Sequence, residues 1–400
     1  MANSAKIREI FKTRQGVFRL VPNWIPRSFN RPGCRLRLHP DDYFCLGTAR
    51  GAIKERWFCS ITSALNGPLA PPEEGLSRIE ISNDPDDATF FRDAMELLGA
   101  ELIGEELQSK YGAWPMFAKF FDYDAPLFHH LHLSNADARK IGKFGKPEAY
   151  YFPIQMNNHP GSFPVTYFGY DPDVSKDEVR RRVLAYEAGD NRITELSRAY
   201  RLELGTGWYT PPGVVHAPGS LLTYEPQWNS DVCAVYENVV QGEVYPREKL
   251  VDSLPDNEKN DIDAVMGMMD WPANVDPHYR KKYFLAPLPV ETGTPEYTEK
   301  WITYRNAYFA AKETTIPPGG SALLRDKAAY GCIIVQGFGS FGAYDDAEAP
   351  VLLRYGQLSG DEYFVSEAAA VKGIRVVNRS RHEDMVILRH FGPNAGAPEV

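Results

Sequence analysis

Apolar and polar positions alternate with a period of two over much of the chain, which predicts short β-strands. Phe117, Lys119 and Phe121 occupy alternate positions after Trp114, and the segment 127–133 (LFHHLHL) continues as a second strand. Strand-like segments resume at 202–244, and glycine turns punctuate further strands through the last hundred residues. Because strand side chains alternate between two faces, this pattern is typical of half-buried sheets.

Helical spacing is limited to a few segments. Apolar residues recur at helical spacing within 91–98, and the pattern predicts a helix that Asp86 or Asp87 caps and Gly99 ends. Ser175 and Glu178 form a capping box at the start of another helical segment, which lies between strands. The proline-broken first forty residues predict an irregular arm.

These elements favour a mainly β protein with two successive β-sandwich domains and a helical insertion in the first. The predicted boundaries are 1–250 for the arm, the helix and the first sandwich, 251–297 for a polar and proline-rich connector, and 298–400 for the second sandwich.

Composition narrows the possible function classes. The 400 residues contain 53 acidic and 44 basic side chains without a basic block, which argues against nucleic-acid binding. Apolar runs are far shorter than the roughly 18 residues of a membrane span, and the N-terminus lacks the apolar core of a secretory signal. The five cysteines are widely spaced and form no C-x-x-C pair, so we expect a cytoplasmic protein without a disulfide framework.

A cluster of histidines is the first candidate for chemistry. His130 and His132 are two positions apart on a predicted strand, so their side chains share a face and can converge on one cation. Glu148 begins another predicted strand, and a P-P-G-V-V-H turn presents His216. Three imidazoles and one carboxylate suit a divalent Zn, Mn, Fe, Co or Ni ion.

The order H-x-H, then Glu, then Pro-Gly-x-x-His resembles the metal-ligand arrangement of cupins, and the wider context resembles type I phosphomannose isomerases. The similar stretches are 114–132, Lys146-Pro147-Glu148, 205–219 and 221–231, so the resemblance covers about residues 50–240. It implies two tandem cupin (jelly-roll) domains, the second without metal.

Carried over residue by residue, the resemblance implies that one divalent metal, zinc in this family, binds to His130, His132, Glu148 and His216. It also implies that Lys146, two residues before Glu148, lines the sugar pocket as the candidate catalytic residue. Tyr150 and Trp208 flank the ligand-bearing strands and are candidate substrate-stacking residues, and Glu225 is a further candidate substrate contact.

Two departures from the family pattern change what the resemblance implies. The family has Gln at the position of His130. It also has an Arg near the position of Ala234, in the strand that here reads Val232-Cys233-Ala234-Val235-Tyr236. The added imidazole makes the site similar to that of cupins in general.

The sequence therefore predicts a metal-dependent aldose–ketose isomerase for a sugar or sugar phosphate. Two alternatives remain open: a cupin lyase, epimerase or dioxygenase that uses the same metal site, and a non-catalytic sugar-binding cupin.

Overall fold

The computed structural model describes residues 2–159 and 164–399, and it confirms the mainly β prediction. The described residues form five sheets of nine, seven, five, four and two strands, all paired antiparallel. The strands are β1 (Val17–Val21), β2 (Asn23–Arg27), β3 (Ala52–Phe58), β4 (Arg78–Glu80), β5 (Ala88–Phe90), β6 (Met116–Phe121), β7 (His130–Leu131), β8 (Glu148–Tyr151), β9 (Val165–Tyr170), β10 (Ser197–Arg201), β11 (Gly207–Thr210), β12 (His216–Ala217), β13 (Thr223–Trp228), β14 (Ala234–Val235), β15 (Val239–Val240), β16 (Glu243–Val244), β17 (Phe284–Leu285), β18 (Leu288–Val290), β19 (Thr298–Thr303), β20 (Ala310–Ile316), β21 (Ser321–Leu324), β22 (Tyr330–Gln336), β23 (Phe338–Phe341), β24 (Tyr344–Glu348), β25 (Glu362–Val365), β26 (Ile374–Asn378) and β27 (Met385–Phe391).

Helices occupy the N-terminus, the loops between strands and the connector. No described helix is long and apolar enough to cross a membrane. The helices are α1 (Ala2–Thr13), α2 (Phe91–Leu98), α3 (Ala100–Tyr111), α4 (Asn135–Arg139), α5 (Lys176–Leu184), α6 (Glu248–Val251), α7 (Ile262–Gly267), α8 (Trp271–Asn274), α9 (Tyr279–Tyr283) and α10 (Glu367–Lys372).

Two sheets form the first barrel and hold the candidate site. Their strand orders are β17-β11-β8-β13-β6-β3-β2 and β10-β9-β12-β7-β14. The predicted helical insertion is present as α5, which lies between β9 and β10, and the Ser175 hydroxyl caps it by accepting from the backbone N–H of Glu178. The insertion therefore leaves the strands that carry the histidines adjacent to one another.

The second barrel contains the C-terminal strands and also recruits strands from the N-terminus. Its larger sheet has the order β18-β19-β20-β27-β22-β25-β1-β4-β5, and its smaller sheet has the order β21-β26-β23-β24. Strand β1 pairs with β25 through Val17↔Val365 and Phe18↔Phe364. This pairing joins residues 17–21 to the C-terminal sheet, whereas the boundaries 1–250, 251–297 and 298–400 stay a prediction.

Some local elements differ from the sequence prediction. The first forty residues contain α1, β1 and β2 and are not an irregular arm; β1 has no alternation to detect because all five of its residues are buried. The helix expected from Asp86 begins at Phe91, after the short strand β5, and no side chain caps it. It ends at Gly99 as predicted, where a positive φ of 49° favours glycine.

The two barrels pack against each other through a shared apolar core. Phe58 and Phe120 from the first barrel and Ile333 and Leu388 from the second belong to one buried cluster. Across this interface the Tyr224 hydroxyl lies 2.8 Å from Nδ1 of His390, a fully buried imidazole.

Burial of His390 predicts a pH-dependent stability. Burial lowers its pKa to about 3, whereas an unfolded histidine titrates near 6.5. Below about pH 6.5 the unfolded chain therefore binds a proton that the folded chain excludes. As the pH is lowered further, the free energy of unfolding decreases by up to about 1.4 kcal/mol per pH unit. We expect His390→Asn to flatten the pH dependence of the free energy of unfolding between pH 7 and 5 in urea titrations. His382→Asn, at an exposed histidine of the same barrel, is the control and should keep the wild-type slope.

Candidate metal centre

Strand pairing brings two of the predicted histidines together. His130 on β7 is the direct cross-strand partner of His216 on β12, and the centroids of their rings are 4.2 Å apart. His132 lies two residues beyond His130, on the same face, and its ring centroid is 5.1 Å from that of His216. The sequence predicts a strand over 127–133, whereas the observed strand β7 covers only His130–Leu131. The side chains of His130 and His132 nevertheless lie on the same face, as predicted.

Backbone carbonyl groups orient all three imidazoles in the same way. A carbonyl oxygen can only accept, so each Nδ1 carries the proton and each Nε2 presents a lone pair. The Nδ1 atoms of His130, His132 and His216 lie 2.9, 2.8 and 2.8 Å from the carbonyl oxygens of Phe128, Val232 and Val214. This is the arrangement that fixes metal-binding histidines in proteins.

Burial keeps at least two of these imidazoles neutral. Burial, followed by the neighbouring imidazoles of His216 and His132, lowers the pKa of His130 well below its usual value. Burial and the nearby ammonium of Lys146 lower the pKa of His132 to about 4, although Glu148 acts in the opposite direction. Neutral imidazole is the form that binds a metal.

Glu148 reaches the histidines from the facing sheet. Its Oε1 is 3.1 Å from Nε2 of His216, and its Oε2 is 3.0 Å from Nε2 of His132. Burial disfavours the carboxylate, but the nearby ammonium of Lys146 opposes burial, and the pKa of Glu148 is held well below its usual range. The hydroxyl of Tyr150, two residues along β8, donates to Oε1 of Glu148.

The geometry and the unsatisfied atoms fit a divalent cation. The ligand atoms of the three histidines lie within 4.8 Å of one another, and bonds of about 2.1 Å to one ion place tetrahedral ligand atoms about 3.4 Å apart. Nε2 of His216 is buried without a hydrogen-bond donor among the described residues, and Oε1 of Glu148, which lies 3.1 Å from it, can only accept. Such atoms are costly to bury unless something binds them. Within residues 2–159 and 164–399 this is the one cluster of its kind.

Lys146 lies directly beside the candidate ligands. Its Nζ is 3.0 Å from Oε2 of Glu148, 3.1 Å from Nε2 of His132 and 3.5 Å from Oε1 of Glu225. Burial lowers the pKa of Lys146, but Glu148, Glu225 and Asp231 outweigh burial and raise it above the usual value. Lys146 is therefore an ammonium ion, suited to stabilising negative charge and unsuited to accepting a proton.

The pKa of Glu225 is raised, whereas that of the neighbouring carboxyl group of Glu148 is lowered. Its side chain is 3% exposed, and burial and the nearby carboxylate of Glu148 raise its pKa to about 8. A carboxyl group that titrates near neutral pH can both accept and donate a proton. Of the two groups next to Glu148, Glu225 has the proton affinity that acid–base chemistry requires.

Sequence reasoning missed a set of charged side chains that continues inward from Glu225. Lys119 on β6 is 3.3 Å from Glu225 and 3.8 Å from Glu55, and Nε of Arg27 is 3.0 Å from Glu55. The continuous set Arg27, Glu55, Lys119, Glu225, Lys146 and Glu148 is called the charge chain below. Its one signal in the sequence was Lys119, a charge between Phe117 and Phe121 on an otherwise apolar strand face.

The remaining predicted site residues have different surroundings. Tyr150 contacts Glu148 directly, whereas Trp208 is 1% exposed and packs among aromatic rings. The rings around Trp208 belong to Phe168, Tyr200, Tyr279 and Phe284. A role for Tyr150, Trp208 or Glu225 in substrate binding stays a prediction.

The strand in which the similar family carries an arginine is apolar next to the histidines. Val235 on β14 is the cross-strand partner of His130 and packs with Phe128 and Val240. Ala234, the position at which the family has its arginine, pairs with Leu131 and packs with it in a different apolar cluster, on the face away from His130.

Comparisons with known proteins identify structural neighbours only. No family model matches the chain, and no curated protein matches it. The structure resembles mannose 6-phosphate isomerase from Bacillus subtilis, with a TM-score of 0.59, 16% identity and coverage of 94% of this chain and 99% of that one. It also resembles a point variant of phosphomannose isomerase from Salmonella typhimurium, with a TM-score of 0.60, 12% identity and coverage of 94% and 100%.

A third neighbour is a mannose 6-phosphate isomerase bound with zinc and yttrium, with a TM-score of 0.58, 11% identity and coverage of 94% and 99%. These matches confirm the resemblance to type I phosphomannose isomerases and extend it from residues 50–240 to nearly the whole chain. Because the sequence identities are only 11–16%, these matches establish the fold alone.

Proposed function

We propose that the chain is a metal-dependent aldose–ketose isomerase that acts on a sugar. The observation that carries the proposal is the buried group of three histidines and Glu148, with the ammonium of Lys146 and the carboxyl of Glu225 beside it. His130, His132, Glu148 and His216 would hold the ion, for which zinc is the proposed identity. When bound, a divalent ion supplies Lewis-acid polarisation of a carbonyl group.

The chain's own residues supply the rest of the reaction. An isomerase removes a proton from the hydroxyl-bearing carbon next to a carbonyl and returns it to the former carbonyl carbon, while the hydroxyl proton passes to the former carbonyl oxygen. We assign the proton transfer to the Glu225 carboxyl and the stabilisation of the developing negative charge to Nζ of Lys146, which lies 3.5 Å from Glu225. Tyr150 orients Glu148 through its hydroxyl.

A second candidate function is supported by the apolar residues Ala234 and Val235, in the strand where the similar family has an arginine. A lyase, epimerase or dioxygenase of the cupin type would use the same three-His, one-Glu site and would not need that arginine. A non-catalytic sugar-binding protein would retain the metal without turnover.

Metal analysis followed by a substrate screen tests the proposal. Protein purified without chelator should contain about one divalent ion per chain. Adding that metal should then produce ketose from at least one aldose or aldose phosphate in a coupled assay, and removing it with chelator should abolish the product. Fully loaded protein that converts no aldose, but cleaves, epimerises or oxidises one, would replace this proposal with the second candidate.

A further inference from the structure

The second barrel has a cavity where the edges of its two sheets meet. The larger sheet ends at strand β18, and the smaller sheet ends at strand β21. A cavity of about 450 Å³ lies between the segment 290–299, which leads from β18 into β19, and residues of β20 and β21. Cavities that bind small molecules in proteins typically measure about 300–1,000 Å³. The cavity therefore has the size of a ligand site.

The floor of this cavity is a network of buried ion pairs. The ammonium of Lys312 on β20 lies 2.6 Å from Asp326 and 3.5 Å from Glu299, and it also lies over the ring of Trp301. The fully buried guanidinium of Arg389 pairs with the same two carboxylates. Two cations therefore face two carboxylates, and the floor adds no net charge to the cavity.

The rim of the cavity carries charges of both signs that have no ion-pair partner. Glu291 and Glu296 lie on the wall formed by 290–299, and Arg325 follows β21 on another wall. All three side chains are solvent-exposed, and within residues 2–159 and 164–399 none of them takes part in an ion pair. The rim therefore offers carboxylates on one wall and a guanidinium on another.

The wall that carries the two glutamates is held by its own hydrogen bonds. The hydroxyl of Thr292 donates to the carbonyl of Thr294 at 2.7 Å, and the backbone N–H of Glu296 donates to the hydroxyl of Thr294 at 3.3 Å. Tyr297, at the end of the segment, is buried in the core of the second barrel. This wall therefore has a defined conformation without a ligand.

From these two sets of unpaired charges we propose that the cavity is a binding site for a free α-amino acid. The guanidinium of Arg325 can bind the ligand's carboxylate through two parallel hydrogen bonds, and Glu291 and Glu296 can accept hydrogen bonds from its ammonium group. A neutral or singly charged ligand would leave at least one set of charges unused. Val290 and Leu323 supply apolar contacts for the rest of the ligand.

This site is independent of the proposed function. It lies in the second barrel and includes no residue of the candidate metal centre or of the charge chain. Because the two sites share no residues, failure of either proposal leaves the other intact.

Ligand analogues test which charges the cavity recognises. Full-length, metal-loaded protein is titrated by isothermal calorimetry with each of the free L-amino acids found in proteins, and we expect at least one to bind with a Kd of about 1 mM or below. The amino acid that binds most tightly is then compared with the amine that lacks its carboxylate and with its N-acetyl derivative, which lacks the ammonium charge. Each analogue should bind at least about tenfold more weakly.

An arginine variant tests where the amino acid binds. Arg325→Gln should weaken binding of the amino acid by at least about tenfold. It should not weaken binding of the amine, which has no carboxylate for Arg325 to bind. Arg381→Gln is the matched control, because Arg381 is an exposed arginine of the second barrel that does not line the cavity. The control should bind both ligands as the wild type does.

A metal-ligand variant separates this cavity from the metal centre, because a free amino acid can also bind to a metal ion. Binding that is retained in His132→Ala and weakened in Arg325→Gln supports the proposal. Binding that disappears in His132→Ala together with the metal places the amino acid in the first barrel and overturns the proposal. The proposal is also wrong if no amino acid binds at about 10 mM, if the amine binds as tightly as the amino acid, or if Arg325→Gln binds the amino acid like the wild type.

Discussion

Replacing His132 with Ala should remove the bound metal. The variant loses one of three imidazoles whose Nε2 atoms converge with Glu148, and we expect metal affinity to fall by more than the roughly 10–100-fold that loss of an outer-shell partner causes. Metal content measured by mass spectrometry should fall from about one ion per chain to a trace. Added metal should also raise the melting temperature of the wild type, because a ligand that binds only the folded state stabilises it, by about 2.7 kcal/mol at a concentration of 100 Kd.

The adjacent histidine provides the matched control. His129 is 1% exposed and belongs to the same segment as His132, but it lies on the opposite face, with Nδ1 3.1 Å from Glu237. We expect His129→Ala to retain metal and the metal-induced increase in melting temperature, even where its own stability is lower. Full metal content in His132→Ala, or equal losses in both variants, would contradict the assignment of the ligands.

Replacing Lys146 with Met should abolish most of the turnover while leaving the metal in place. Methionine keeps much of the side chain's bulk and removes an ammonium that lies 3.0 Å from Glu148 and 3.5 Å from Glu225. Because that charge is placed to stabilise an oxyanion, we expect kcat to fall by roughly 10²–10⁴ on the substrate found in the screen. Steady-state kinetics and metal analysis on the same preparation provide both readouts.

An exposed lysine three residues earlier controls for the chemistry of the substitution. Lys143→Met changes a solvent-exposed side chain in the same loop and should have wild-type kinetics. An unchanged rate in Lys146→Met would exclude Lys146 from the mechanism. Loss of metal together with activity would instead indicate that Lys146 acts by keeping Glu148 ionised.

The local chemistry of the site was readable from the sequence because it depends on short-range rules. Alternation along a strand places His130 and His132 on one face whatever the rest of the chain does. The rigid turn before His216 and the position of Glu148 at the start of a strand are likewise local features. The mainly β architecture was predictable for the same reason, because this alternation recurs in many segments of the chain.

Only the tertiary structure decided which distant residues meet. The strand register places His216 opposite His130, and the packing of the two sheets brings Glu148 on β8 to His132. Both depend on long-range contacts for which the sequence carries no local signal. The recruitment of β1 into the C-terminal sheet has the same origin, since a strand buried on both faces has no alternation to detect.

The charge balance of the site was also decided by tertiary packing. Arg27, Glu55, Lys119 and Glu225 are scattered along two hundred residues, and each alone is an ordinary charged side chain in a strand. Their pairing inside one barrel, and the resulting pKa near 8 of Glu225, arise because burial removes water and makes neighbouring charges interact strongly. The sequence determined the candidate metal ligands; the packing of the barrel determined their electrostatic environment, because burial and proximity in space belong to the folded chain alone.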